Sequence, residues 1–254
     1  VIRSFNRFEL KYIVPVALRD ELLESIRREM RPDSSGDDGI YNVTSLYYDT
    51  SDLAAVRSKL DGIKYRRKVR IRVYGTIPTE PTTRVMVEIK QRINRTCQKR
   101  RLSLPLSDAY ALCAGELPLE RAWEDPRDAA VASEVTFLSR AMNLFPMCVV
   151  GYQRRAFVGG RYEPRLRVTF DQGLWCRPAS DLLSGDGTHY RMLPPDWMVL
   201  EVKTDHAIPL WVSRMLARHD VSLRRFSKYC TAALYLRERG VLLPGLRGEA
   251  SWTR

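Results

Sequence analysis

Histidine is nearly missing from this 254-residue chain. His189, His206 and His219 are its three copies, and they are scattered, so no Ser/His/Asp relay can be read from it. Cysteine is sparse and odd in number: Cys97, Cys113, Cys148, Cys176 and Cys230 form no CxxC or Cys/His pairing, which excludes the usual zinc sites. Such thiols are expected to be reduced, in a cytoplasmic protein. No run approaches the ~18 apolar residues of a membrane-spanning helix, and no signal-peptide pattern stands at the start. The opening residue is Val1 and not Met, as in a chain that has lost a terminal segment. Neither a Walker A loop nor a Rossmann fingerprint occurs. The acidic stretch Asp33 to Gly39 (DSSGDDG) lacks the ligand spacing of an EF-hand and reads as a solvated loop.

Positive charge is abundant. The formal net charge is +12 and the pI is near 9.7, while the hydrophobic content of 44% is that of an ordinary globular domain. An anionic partner follows: nucleic acid, a membrane surface, or a phosphorylated small molecule or polymer.

The cations are patterned. In KYRRKVRIRVYG, Lys64, Arg66, Lys68, Arg70 and Arg72 alternate with Tyr65, Arg67, Val69, Ile71 and Val73, which is a strand signature. One face is a row of positive charges about 7 Å apart. That row is either a solvated basic edge or a wall for an anion. The design repeats: Arg7, Glu9 and Lys11 share a face of Arg7–Val14; Arg84, Glu88, Lys90 and Arg92 share one in RVMVEIKQR; Lys99 and Arg101 alternate along Thr96–Leu104. It recurs with Tyr152 and Arg154, with Arg165, Arg167, Thr169 and Asp171, and with Glu201, Lys203 and Asp205. Tyr41–Asp49 is a further strand. Helices are expected after Pro15, over DLAAVRSKL, Ser107–Ala114, Asp128–Asn143, Pro209–Arg218 and Phe226–Arg237, the last opening on Ser227 and Lys228, where free backbone N–H groups favour an anion.

Together these predict an α+β fold: an eight-stranded antiparallel β-barrel with a charged bore and flanking helices on its outer face. Residues 1–240 form a single domain and 241–254 a C-terminal tail. Unpaired charge is too costly to bury dry, so a polyanion with metal ions is the expected occupant. Glu88 and Asp171 read as salt-bridge partners, and Glu201 as the candidate ligand for Mg2+ or Mn2+. Duplex DNA is too wide for such a bore, and single strands would need more aromatic platforms than Tyr74 and Tyr152 offer.

The ordered series RFELKY, LYYD, KVRIRVYG, VEIKQR with KRR, YQRRAF, RVTFD, LEVKT and FSKY resembles the triphosphate tunnel metalloenzymes, and within them the VTC domain of polyphosphate polymerases. The resemblance implies a triphosphate tunnel in which a metal-dependent transferase passes the γ-phosphoryl group of ATP to inorganic polyphosphate. It implies catalytic roles for Arg70, Arg72, Lys90, Arg154 and Arg167, phosphate binding by Lys11, Tyr152 and Lys228, and metal at Glu201. Lys68, Arg92 and Lys203 join the phosphate-binding set from their strand faces, and Ser227 from the start of the last helix. Where the superfamily has two glutamates before the lysine, this chain has Arg7 and Glu9, which leaves Glu9 the weaker metal ligand and favours the polymerase branch. The alternatives are an inorganic triphosphatase or polyphosphatase, and a non-catalytic module binding polyphosphate or inositol phosphate, with a protein partner.

Overall fold

The computed structural model describes residues 8–94, 96–118, 121–161, 163–179, 183 and 187–241. Arg7, the tail beyond 241 and most of the Gly/Ser/Asp-rich loop near 180–186 lie outside the described residues. Ten strands form one sheet: β1 (Phe8–Pro15), β2 (Met30–Pro32), β3 (Ile40–Asp49), β4 (Tyr65–Tyr74), β5 (Arg84–Ile93), β6 (Thr96–Pro105), β7 (Phe145–Gly159), β8 (Arg167–Pro178), β9 (Tyr190–Arg191) and β10 (Trp197–Thr204). Between and after them come α1 (Arg19–Glu29), α2 (Ala54–Leu60), α3 (Leu106–Ala114), α4 (Pro126–Met142), α5 (Leu210–Arg218) and α6 (Lys228–Glu238).

The strand order is β1-β10-β8-β7-β3-β4-β5-β6, antiparallel at each junction, with β2 added on β7 and β9 on β8. Eight strands on the main path match the expected number. Closure into a barrel is not part of the hydrogen-bond pattern, since no ladder joins β1 to β6 among the described residues. The sheet is nevertheless strongly curled, because Lys90 of β5 and Glu9 of β1, near opposite ends of that order, meet at 2.6 Å.

Alternation decides what each face does. Val69, Ile71, Val73, Val85, Val87 and Ile89 point outward and pack with Ala109 and Leu112 of α3 and Val135 and Leu138 of α4. On the other flank, Val168, Phe170, Leu200 and Val202 bury Leu22 and Ile26 of α1 and Val212 of α5. These two layers cover the convex side, as expected. The third does not: Tyr229, Ala232, Ala233 and Leu236 of α6 pack with Val43, Tyr47, Val150 and Tyr152, which belong to the concave face. Helix α6 therefore enters the curl, with Val56 of α2 in the same cluster, because β3, β7 and β8 carry an apolar stretch on that face where the other strands carry charge.

Three local expectations change. The helix after Pro15 starts as a 3-10 turn (Val16–Leu18), and Met30, placed in its apolar stripe, opens β2 with its side chain still buried. Arg165 stands in the turn closed by Leu166 N–H donating to Glu163 O, ahead of β8, and pairs with Asp205 at 2.5 Å. Asp33 is no solvated loop residue: it is buried, accepts from Ser35 N–H at 2.9 Å and pairs with Arg167.

Candidate functional site

The concave face encloses a cavity of about 990 Å³ whose carboxylates are Glu9 and Glu201, set among many lysines and arginines. The register explains the mixture. Strands β1 and β10 place Glu9 opposite Lys203 and Lys11 opposite Glu201, so acids and cations alternate across the ladder. On β4, the parity that sends Val69 and Ile71 outward sends Lys68, Arg70 and Arg72 inward.

Glu88 and Asp171 do not line the cavity; they stand behind its cations. Arg70 gives Nε and Nη2 to Glu88 Oε2 at 2.8 and 2.6 Å and Nη1 to the Tyr47 hydroxyl at 2.9 Å. Lys99 Nζ reaches the other Glu88 oxygen at 2.9 Å. Arg154 makes a two-pronged pair with Asp171 at 2.7 and 2.9 Å, and Lys228 Nζ joins the same carboxylate at 2.6 Å. Arg72 Nε donates to Ser45 Oγ at 3.0 Å. Such pairs fix the arginine planes by charge-assisted bonds and leave other N–H groups for a guest. Burial pushes the Glu88 and Asp171 carboxyls up, but the cations outweigh it and hold both well below the carboxylate range.

A second cluster surrounds Glu9, which touches Lys90 at 2.6 Å and Lys11 at 3.1 Å. Burial raises the Glu9 carboxyl, yet Lys11, Lys90 and Lys203 together bring it well below its ordinary value. The lysines are lowered as well, but by burial. Lys11 falls to about 7, through burial first and then Lys90 and Lys228, with Glu9 opposing; Lys203 is also pushed well down, mainly by burial. Glu201, 2% exposed, has Lys203, Arg154 and Lys11 around it at 3.5, 3.6 and 3.7 Å. None is a tight hydrogen bond.

Of the residues expected from sequence, Lys11, Lys68, Arg70, Arg72, Lys90, Arg92, Tyr152, Arg154, Lys203, Ser227, Lys228, Glu9 and Glu201 all line this cavity. Arg167 does not. It is drawn to Asp33, and its Nη2 donates to the Tyr41 hydroxyl at 2.9 Å. Ser227 caps α6, accepting from Cys230 N–H at 3.5 Å, and also receives Lys68 Nζ at 3.2 Å. Lys228, 7% exposed, lies 4.8 Å above the Tyr152 ring. Sequence reading overlooked Ser45 and Tyr47 and, having placed Lys99 on a charged strand face, left it out of the site; parity along β3 would have found the first two, since Ser45 and Tyr47 alternate with the outward Leu46 and Tyr48. Tyr229, which the sequence places beside Lys228 at the start of the last helix but not in the site, stacks on Tyr47 with ring centroids 4.9 Å apart; Arg224 and Arg225, whose irregular segment carries no period, were overlooked.

A divalent cation has two carboxylates to use here, since Glu9 and Glu201 both contact Lys11. No group of three or more His, Cys, Asp or Glu side chains forms a metal cluster among the described residues. The donor set thus fits an ion such as Mg2+ that takes one or two carboxylates and completes its shell from water and phosphate.

Residues 6–237 match the family profile of the VTC domain. The chain belongs to the VTC domain family. None of the curated proteins matches this VTC domain. Among solved structures it is similar to the PH1819 protein from Pyrococcus horikoshii OT3, at 13% identity and TM-score 0.45, covering 92% of this chain and 99% of that one. It is also similar to a chain of the Schizosaccharomyces pombe Mediator head module, at 12% identity and TM-score 0.44, covering 84% of this chain and 90% of that one. No helix among the described residues is long and apolar enough to cross a membrane.

Proposed function

We propose that this VTC domain is a metal-dependent polyphosphate polymerase that transfers the γ-phosphoryl group of ATP to the end of an inorganic polyphosphate chain. The observation that carries the reading is the cavity: a concave face dense in anchored cations, with two carboxylates at one side, in a chain of this family. In the proposed step a terminal polyphosphate oxygen attacks the γ-phosphorus as the bond to the β-phosphate oxygen breaks and ADP leaves. Arg70, Arg72 and Arg154 spread the charge on the transferred group, their planes held by Glu88, Ser45 and Asp171. Lys11, Lys90 and Lys203 hold the neighbouring phosphates. A cation at Glu201, with Glu9, would neutralise charge on bridging phosphate oxygens. Arg167, occupied by Asp33, stays outside this set.

Purified protein incubated with γ-labelled ATP and Mn2+ or Mg2+ should yield a ladder of phosphate polymers on a gel, and Glu201→Ala should abolish it. Free phosphate alone would replace the polymerase with a triphosphatase. Polyphosphate binding without turnover would leave a sensing module.

A further inference from the structure

Tyr47 lines the cavity and has no part in the step proposed above. On β3 it stands directly opposite Arg70 of β4, on the face turned away from Leu46 and Tyr48. Its ring is clamped. It stacks on Tyr229 with the planes 24° apart, and the Tyr229 hydroxyl is tied in turn to Asp49. Its oxygen is fixed as well, because Arg70 Nη1 donates to it at 2.9 Å while Glu88 holds the other edge of the guanidinium.

A guanidinium can only donate, so in this pair the phenol accepts. Its own proton is left over. Among the described residues no acceptor takes it, and the charged groups that face it, Lys68, Arg70 and Arg72, are cations that offer no lone pair. Tyr47 is 5% exposed, and those three cations and Tyr229 line the same cavity, so the accessible side of the hydroxyl is the cavity itself. Arg70 also primes it, since an oxygen that receives a hydrogen bond donates a stronger one. Burial raises the Tyr47 hydroxyl, but Arg70, Arg72 and Lys68 outweigh it and bring it below its ordinary value.

We propose that Tyr47 is a substrate-contacting residue, its O–H donating to a phosphoryl oxygen that Arg70 and Arg72 also engage. This rests on reading the cavity as a phosphate site. It sets among the cations a donor that carries no charge, placed by two fixed neighbours, and a bond from O–H to an anionic oxygen is of the short, strong kind. The guest, Tyr47, Arg70 and Glu88 then form one chain of hydrogen bonds.

Calorimetry with inorganic tripolyphosphate reads the contact without turnover. Tyr47→Phe keeps the ring that stacks on Tyr229 and should bind about tenfold or more weakly than the wild type, the worth of a hydrogen bond to a charged group. That variant also takes an acceptor from Arg70, so a second measurement follows the hydroxyl itself. Site-specific Tyr47→fluorotyrosine keeps the oxygen and gives a fluorine signal that reports the titration of this one phenol. Bound tripolyphosphate should raise that titration by about one pH unit or more, because an accepting anion favours the protonated form. A titration that tripolyphosphate leaves in place would overturn the inference, as would equal or tighter binding in Tyr47→Phe; either leaves the cavity a phosphate site. Absence of tripolyphosphate binding in the wild type would overturn that reading and this inference together.

Discussion

Glu88 shows how a single side chain can be structural in a site dense with chemistry. It is fully buried and holds Arg70 and Lys99 directly, with Arg72 at 3.7 Å. Removing one member of a buried pair strands the other, so Arg70→Ala should cost about 3–5 kcal/mol of stability besides its effect on turnover. Arg70→Ala with Glu88→Ala should recover part of that loss, which urea melts of the two variants would reveal. The carboxyl also sets a pH dependence. Its folded pKa lies below the unfolded value, so its stabilisation is complete above the ordinary glutamate range and is lost as pH falls through and beneath that range. Glu88→Gln should therefore flatten the fall in urea midpoint between about pH 5 and pH 3. An unchanged slope would contradict the assignment. The sequence put Arg70 and Glu88 on cation-rich faces of two strands and read Glu88 as a salt-bridge partner. It could not name Arg70 as the partner, because alternation fixes the face of a residue and not the register between strands.

The most informative element is α6. Its span was legible from Phe226 to Arg237, but an apolar stripe does not say which side of a sheet it meets. The concave placement follows from the small Ala232 and Ala233, which sit beside Val150 and Cys176 at the heart of one cluster, and from Tyr229, whose hydroxyl donates to the buried Asp49 at 2.6 Å. Ser227→Ala removes the cap and the hydroxyl that meets Lys68; a loss of about 1 kcal/mol in thermal melts is expected, typical of a serine cap. On the opposite face of β7, a Cβ at Gly151 would come within 2.1 Å of the Trp175 ring, which itself stacks on His189. Gly151→Ala should thus displace the indole, destabilise the fold by roughly 1–3 kcal/mol and shift tryptophan fluorescence. A wild-type emission spectrum would show that the ring has room to retreat.

For the whole molecule, the excess of cations lining the cavity gives it a self-repulsion that an anion would relieve. Inorganic tripolyphosphate at ~100 times its dissociation constant should stabilise the fold by about 2.7 kcal/mol, seen as a raised melting temperature, and added salt should shrink the effect. No shift at low salt would remove the cavity as a phosphate site. At this scale the eight-strand path, the charged inner face and the antiparallel order were readable from the repeated alternation of charge. The Asp33–Arg167 contact was not, because it joins a loop to a strand 134 positions later in the chain, and nothing periodic links them. Glu88 and Asp171 give the pattern a further meaning. On the proposed reading, an interior that supplies part of its own counter-charge would hold a guest in the cavity through the N–H groups that the anchored carboxylates leave over. A chloride ion or a single phosphate brings little that the anchored carboxylates lack. A linked row of phosphates engages several cations while surrendering its freedom of movement once, so on the proposed reading the cavity should favour anions of higher valence and greater length.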